Sequence, residues 1–386
     1  MQRWKPVEVL IHKDVRKDPV VLSIRNNLRD VRVDVVESGL PQDVMAASRT
    51  LGVRTSLFNT ITEGKKVLYV GPPGDVVDDF SIPDGRMVCP HFARLKLASN
   101  GCFYRCDWCY LKGTYRANRP YITAHVEYPR IEQQLQGRLR NSPEPILFNA
   151  GELADSLSMD HVMKAAEHFI SWFGRQKKGY LLLLTKSDNV DHILHLPHNR
   201  QTIVAWSMNA PAVSRQFEKG APSFQRRLEA ARKVQEAGYD VRIRLDPIVP
   251  VDGWQEIYAD AIRDIYAAIE PERVTLGTLR FEEQFYHIRK TIVSEALLRH
   301  METMAPMFTP QPVRMKNRKT TTKSGKYSFS HEERAAIFKF AVKEIRKHSP
   351  KAKIALCKES AAVWEAVNLN LSRCWCVCQL GYANMS

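Results

Sequence analysis

From about residue 90 the chain alternates short apolar runs with amphipathic ones, and this alternation limits the fold more than any other feature. The apolar runs are "RLKLAS", "EPILFNAG", "YLLLLTKS", "TIVAWSMN", "YDVRIRLDPIVP" and "RVTLGTLRF", and they read as buried strands. Between them lie "DHVMKAAEHFISWF", "DNVDHILHL", "FQRRLEAARKVQEAG" and "WQEIYADAIRDIYAAI", which carry helical patterns. In the third, Phe224, Leu228, Ala231 and Val234 recur at helical spacing and Gly238 ends it. Strand–helix repeats imply a parallel sheet joined by right-handed crossovers. Six such strands predict an α/β fold with an open, partial (β/α)6 barrel of the TIM type rather than the full eight units. In such barrels chemistry gathers at the C-terminal ends of the strands.

The flanks differ in style. Residues 1–88 predict a small N-terminal α/β subdomain, with strands in "VEVLIH", "VRVDVVES" and "KKVLYVGPPGD" and a helix in "DPVVLSIRNNL". "GPPGD" lacks the lysine and spacing of a phosphate loop and reads as a turn. The barrel is expected over 89–290. A C-terminal extension, helical and cysteine-rich, is expected over 291–386. It contains "RMKNRKTTTKSGK" (Arg314–Lys326), six cations and no acid, which reads as a solvated loop or a nucleic-acid contact. The helix "HEERAAIFKFAVKEIRKH", the strand-like "KIALC" and "SRCWCVCQL" follow.

Fifty-seven Lys and Arg against 42 Asp and Glu leave a net charge of +15, which favours a polyanionic partner, nucleic acid first. No apolar run reaches the roughly 18 residues of a membrane span, and "MQRWKPVEVL" lacks a secretory leader, so a cytoplasmic protein without a membrane partner is expected. Eight cysteines in that compartment point to ligands or reactive thiols rather than disulfides.

Three of them stand in "SNGCFYRCDWCYLKG", as Cys102, Cys106 and Cys109, spaced C-x3-C-x2-C after the first barrel strand. A [4Fe–4S] cluster held wholly by protein uses four thiolates, so three leave one iron open to an outside ligand. Zinc would need a fourth ligand, and His91 is the nearest upstream candidate.

The spacing, with an aromatic before the last cysteine, resembles the signature of the radical S-adenosylmethionine (SAM) superfamily. "CDWCYLKGTY", "LLTKSDNVDHIL", "WSMNAPAVSRQFEKGAPSFQRRLEAARKVQEAGY" and "DPIVPVDGW", in this order from about His91 to Phe281, resemble the spore photoproduct lyase family, which repairs a thymine dimer in DNA. The resemblance implies a carbon–carbon lyase in which Cys102, Cys106 and Cys109 hold a [4Fe–4S] cluster and the open iron holds the SAM amino and carboxylate groups. Reductive cleavage of SAM then yields a 5′-deoxyadenosyl radical that abstracts hydrogen from a nucleic-acid base. An electron donor such as flavodoxin or ferredoxin is implied, with DNA, or RNA, as partner.

The same resemblance carries individual residues over. Gly151-Glu152 matches the element that meets the SAM ammonium, and Lys186 would meet its carboxylate. Ser207 and Asn209 match a ribose-contacting pair. Tyr110 follows the last ligand where the lyase has a tyrosine on its radical path, and Trp108 replaces another tyrosine. Arg244 and Asp246, ending the fifth strand, read as a pocket-facing pair or a structural salt bridge. One departure stands out: Glu152 falls where the lyase keeps the cysteine that returns a hydrogen atom to the product. A carboxyl O–H bond is too strong for that task, so either the substrate differs or Tyr110 or a C-terminal thiol donates.

Cys357, Cys374, Cys376 and Cys378 allow three readings: a second metal or Fe–S site, redox thiols, or unligated tail cysteines. Cys89 reads as a buried small hydrophobe. Two other functions remain open: a radical SAM enzyme modifying RNA, a peptide or a small molecule, and a non-enzymatic, metal-stabilised nucleic-acid-binding protein.

Overall fold

The computed structural model describes residues 3–52, 56–81, 87–89, 91–308, 313–315, 318–322, 326–371 and 376–380. The six expected barrel strands appear in chain order in one sheet: Phe92–Leu95, Ile146–Asn149, Gly179–Thr185, Thr202–Met208, Asp240–Ile248 and Val274–Thr278, each parallel to the next. Two strands that the alternation did not reveal extend it. Ile354–Leu356, from "KIALC", adds a parallel strand beyond Val274–Thr278. Val77–Phe80 adds an antiparallel one beyond Phe92–Leu95. The sheet stays open between these two edges.

The strands are apolar throughout because both faces are covered. On one face Leu181, Leu183, Val204 and Trp206 pack with Phe169, Phe173, Ala231, Val234 and Ile262 from the crossover helices. On the other, Phe92, Leu147, Leu182, Ile203 and Ala205 pack against Val377 and Cys378 of the C-terminal tail. The tail therefore plugs the inner face of the barrel. Arg242 Nη1 donates to the carbonyls of Val377 (2.6 Å) and Gln379 (2.8 Å), Arg273 Nη1 donates to Gln379 O at 2.9 Å, and Thr275 Oγ1 accepts from Val377 N at 2.9 Å.

The N-terminal sheet orders Arg32–Val36, Glu8–His12, Val67–Gly71 and Ile122–His125 in parallel, with Ala98–Ser99 antiparallel at its edge. Two of its strands thus come from beyond residue 88. Helix Pro19–Asn27 begins at Asp18, whose carboxylate accepts from Val20 N at 2.8 Å.

Some elements depart from their sequence patterns. "RLKLAS" is a strand only to Leu95, after starting earlier at Phe92. "DHVMKAAEHFISWF" breaks at Lys164, in the left-handed region at φ 53°, into Asp160–Met163 and Ala165–Phe173. "DNVDHILHL" folds as turns rather than a helix. Its polar residues are drawn into tertiary bonds: His192 Nε2 meets Asp160 Oδ2 at 2.7 Å, and Asn189 Nδ2 donates to Leu157 O at 3.1 Å. Within the basic stretch, Val313–Met315 and Arg318–Thr322 pair as an antiparallel ribbon, in keeping with the extended preference of consecutive threonines. Residues 316, 317 and 323–325 of it lie outside the described residues. Among the described residues, no helix is long and apolar enough to cross a membrane.

Candidate active site

The loop after the first barrel strand carries the cysteine triplet. It leaves the barrel through Ala98–Ser99, which joins the N-terminal sheet, so the loop is anchored between two sheets. Cys106 lies on a two-residue strand, Arg105–Cys106, paired antiparallel with Glu218–Lys219. A turn closes from Cys106 O to Cys109 N at 3.2 Å, and Tyr110 opens helix Leu111–Tyr115. Cys106 is buried, whereas Cys102 and Cys109 are half-buried.

Two lysines that sequence reasoning missed attend this loop. Lys65 is buried, with Nζ donating to Asn100 O at 3.1 Å, and Lys112 is half-buried, with Nζ donating to Asp107 O and Ile292 O, both at 3.2 Å. Burial pushes both ammonium groups below their ordinary pKa, while the neighbouring thiols act in the opposite sense. Lys112 sits in "CYLKG" beside the triplet and was legible there. Lys65 arrives from a distant helix end and was not.

This donor set fits an iron–sulfur cluster. One loop brings three thiols together, and two ammonium groups offset the negative charge that thiolates would carry. Among the described residues no three His, Cys, Asp or Glu groups converge on a point that would hold one ion. A cubane does not require that convergence, since each thiolate takes a separate iron. The zinc alternative through His91 does not assemble: His91 is exposed, and its carbonyl accepts from Gln379 Nε2 at 3.1 Å.

The segment after the second strand docks directly on this loop. Gly101 N donates to Leu153 O at 3.1 Å, and Asp155 N donates to Gly101 O at 2.9 Å. Gly151 is required by close approach, since a Cβ there would lie 2.4 Å from Leu184 Cβ. Asp155, also missed from sequence, is buried and accepts from Lys186 N (2.7 Å), Thr185 Oγ1 (2.6 Å), Leu157 N (3.2 Å) and Ser158 N (2.9 Å). It ties the second and third strand ends together.

Lys186 and Ser207 meet, with Nζ donating to Oγ at 2.7 Å. Lys186 Nζ also lies 3.6 Å from Glu218 Oε1, and Glu218 faces Cys106 across the short ladder. Buried Arg227 holds Glu218 from the other side at 2.6 Å and donates to Ser207 O at 3.0 Å. The third and fourth strand ends thus connect through one acid to the triplet. Asn209 stands apart. Its Nδ2 donates to Pro247 O at 2.8 Å, and its Oδ1 accepts from Tyr258 Oη at 2.6 Å and Ala210 N at 3.0 Å, so its amide joins the fourth and fifth strands.

Glu152 pairs with Lys358, Nζ to Oε1 at 3.5 Å. Burial raises its pKa, but Lys358 and Arg244 outweigh burial and hold the carboxyl below its ordinary value. Tyr110, 44% exposed, donates its hydroxyl to the Glu152 carbonyl. Arg244 resolves the two readings of the fifth strand by serving both. It donates to Asp246 Oδ2 from Nε (3.0 Å) and Nη2 (2.7 Å), and Nη2 also reaches Cys357 Sγ at 3.0 Å. Arg280 Nη2 shares Asp246 at 2.8 Å. Burial raises the Asp246 pKa, but the two guanidinium groups hold it well below the carboxylate range.

A small recess lies between these groups, lined by Glu152, Arg244, Lys358, Cys89, Cys357, Cys376 and Cys378. Cys89, expected to be buried, is half-buried and lines this recess, and Cys374 lies outside the described residues. Trp108 packs on Phe217, with ring centroids 5.5 Å apart.

Solved structures share this architecture. A spore photoproduct lyase complexed with dinucleoside spore photoproduct matches at a TM-score of 0.75 and 23% identity, covering 92% of this chain and 100% of that one. A mutant spore photoproduct lyase with bound AdoMet and dinucleoside spore photoproduct matches at 0.73. The curated spore photoproduct lyase of Geobacillus sp. (strain Y412MC61) is 33% identical over 219 residues, 56% of this chain and 61% of that protein. That of Bacillus subtilis (strain 168) is 32% identical over 206 residues, 53% of this chain and 58% of that protein. The aligned part thus spans about three-fifths of these relatives' length. The spore photoproduct lyase family model matches residues 84–357, from before the triplet to Cys357, and by that match this chain belongs to the spore photoproduct lyase family of the radical SAM superfamily.

Proposed function

We propose that this chain is a radical SAM lyase acting on a base of DNA, with a [4Fe–4S] cluster on Cys102, Cys106 and Cys109 and SAM at the iron they leave free. When bound and reduced, this pair supplies a 5′-deoxyadenosyl radical that takes a hydrogen atom from the substrate. The single observation that carries the reading is the connection of the triplet's loop to two strand-end groups. The segment that follows Gly151-Glu152 bonds Gly101 through Leu153 and Asp155, and Lys186-Ser207 reaches the loop through Glu218. A zwitterionic amino-acid ligand needs an acceptor for its ammonium and a donor for its carboxylate. Glu152 as a carboxylate and Lys186 as an ammonium have those charges, Gly151 gives backbone access, and Ser207 and Asn209 are the ribose candidates. Engaging Asn209 would exchange one of its present internal bonds. Tyr110, bonded to the Glu152 backbone, keeps a hydroxyl between the triplet and the recess and is the radical-path candidate.

The partners follow from the same reading. DNA is favoured by the net charge of +15, a one-electron donor such as flavodoxin or ferredoxin supplies the reducing electron, and the cytoplasm is the compartment. A duplex base is out of reach, so the target is flipped out or already unstacked. A second reading, a related enzyme with a different substrate such as RNA, a peptide or a small molecule, is favoured by Glu152 in place of a cysteine. A second metal or Fe–S site on Cys357, Cys374, Cys376 and Cys378 is the remaining alternative for the tail.

Anaerobic reconstitution tests the proposal. The expected product is a brown protein with about four irons per chain that yields 5′-deoxyadenosine from SAM when reduced, and Cys106→Ala loses both. A colourless zinc protein that binds DNA equally well would overturn it in favour of a metal-stabilised binder.

A further inference from the structure

We propose that Cys378, paired with Cys376 on the C-terminal tail, is the hydrogen-atom donor to the substrate radical. This rests on the radical SAM reading above and supplies the group that Glu152 cannot. All four described cysteines outside the triplet line one recess, together with Glu152. The tail that delivers Cys376 and Cys378 is a built element: its carbonyls at 377 and 379 are held by Arg242 and Arg273, and Val377 is buried against the barrel's inner face. Cys378 Sγ lies 3.5 Å from Asn149 Nδ2, at the end of the strand that leads to Glu152. The position the second strand leaves without a thiol is thus served by a thiol from the tail.

The pair also has the geometry to dispose of the resulting thiyl. Gln379 N donates to Cys376 O at 3.0 Å, closing a turn that brings the two cysteines to opposite ends of three residues. A turn of this kind brings Cα atoms within roughly the 4.4–6.8 Å that a disulfide spans. Arg244 lines the same recess as both thiols, and a neighbouring guanidinium favours the thiolate form that joins a thiyl.

The step balances as follows. The substrate carbon radical takes hydrogen from Cys378, so a C–H bond forms and an S–H bond breaks. The Cys378 thiyl joins the Cys376 thiolate in a three-electron S–S bond. One electron leaves to the oxidised cluster, and a Cys376–Cys378 disulfide remains. The net change is one SAM and one thiol–thiolate pair converted to methionine, 5′-deoxyadenosine and a disulfide, with the substrate's hydrogen count unchanged. An added dithiol resets the pair.

The test uses the reconstituted full chain, dinucleoside spore photoproduct, SAM and a reductant that does not reduce disulfides, in D2O. The expected result is one solvent deuterium per product and a Cys376–Cys378 linkage in the digested protein, matching deoxyadenosine formed. Cys378→Ser, close in size but with a strong O–H bond, should still release deoxyadenosine and lose product and deuterium label. A second readout needs no turnover: diamide treatment of the apo chain should link Cys376 to Cys378. Product lacking solvent deuterium, retention of product by Cys378→Ser, linkage of other cysteines by diamide, or loss of iron from Cys378→Ser would each overturn the assignment. The last would make the tail thiols ligands. Absence of deoxyadenosine from the native protein would instead remove the radical SAM reading itself.

Discussion

Glu152 shows how a single residue's chemistry is decided by its neighbours. Burial alone would raise its pKa, yet Lys358 and Arg244 keep it below the usual value. A folded pKa below the unfolded one contributes stability above the unfolded carboxylate pKa, and that contribution is lost as pH falls through the folded one. Lys358→Met leaves the half-buried carboxylate without its nearest cation. We expect a loss of about 2 kcal/mol at pH 7, shrinking only as pH falls below the ordinary carboxylate value of 4.5 and Glu152 takes up a proton, measured by urea unfolding at about pH 7 and about pH 3. A loss independent of pH would mean that Lys358 acts through packing. At this scale the triplet and Gly151-Glu152 were legible because their spacing and strand-end positions lie within a few residues. Lys65, Asp155 and the Lys358–Glu152 pair were not, because each meets its partner only after the sheets have formed.

Among the elements, the tail is the one whose role the sequence concealed. "SRCWCVCQL" looked like a metal motif or a loose end, and its described part fills the barrel's inner face. Deleting residues 372–386 should uncover Phe92, Leu147, Leu182 and Ile203 and strand Arg242 and Arg273 beside Glu272. Two lost apolar side chains and the lost carbonyl acceptors of Arg242 and Arg273, which keep only Glu272, predict a cost of about 4 kcal/mol. Thermal unfolding and dye binding to apolar surface would measure it, and an unchanged melting temperature would show that the plug contributes nothing. The six barrel strands were legible because parallel strands covered on both faces are continuous apolar runs. "DNVDHILHL" misled because its apolar residues follow helical spacing while its polar ones bond to neighbouring segments. "KIALC" was legible as a strand, but its place beside Val274–Thr278 was hidden by its distance in sequence from the sheet it joins.

For the whole molecule, a charge of +15 predicts that DNA binding is driven by release of counterions. Neutralising two phosphates should weaken binding about ten-fold between 50 and 200 mM salt, read as the slope of log affinity against log salt. A slope of zero would detach the charge from the substrate. The order of the six parallel strands could be read from the alternation alone, whereas the union of their sheet's loop with the N-terminal sheet through Ala98–Ser99 and Ile122–His125 could not. The central claim is that three thiols hold a cluster whose remaining iron takes SAM. Its most direct measurement is the electron paramagnetic resonance spectrum of the reduced, reconstituted protein before and after SAM is added, beside Cys106→Ala. The account predicts a [4Fe–4S]+ signal that changes on adding SAM and is absent from the variant. A signal indifferent to SAM, or one that survives the loss of Cys106, would contradict it.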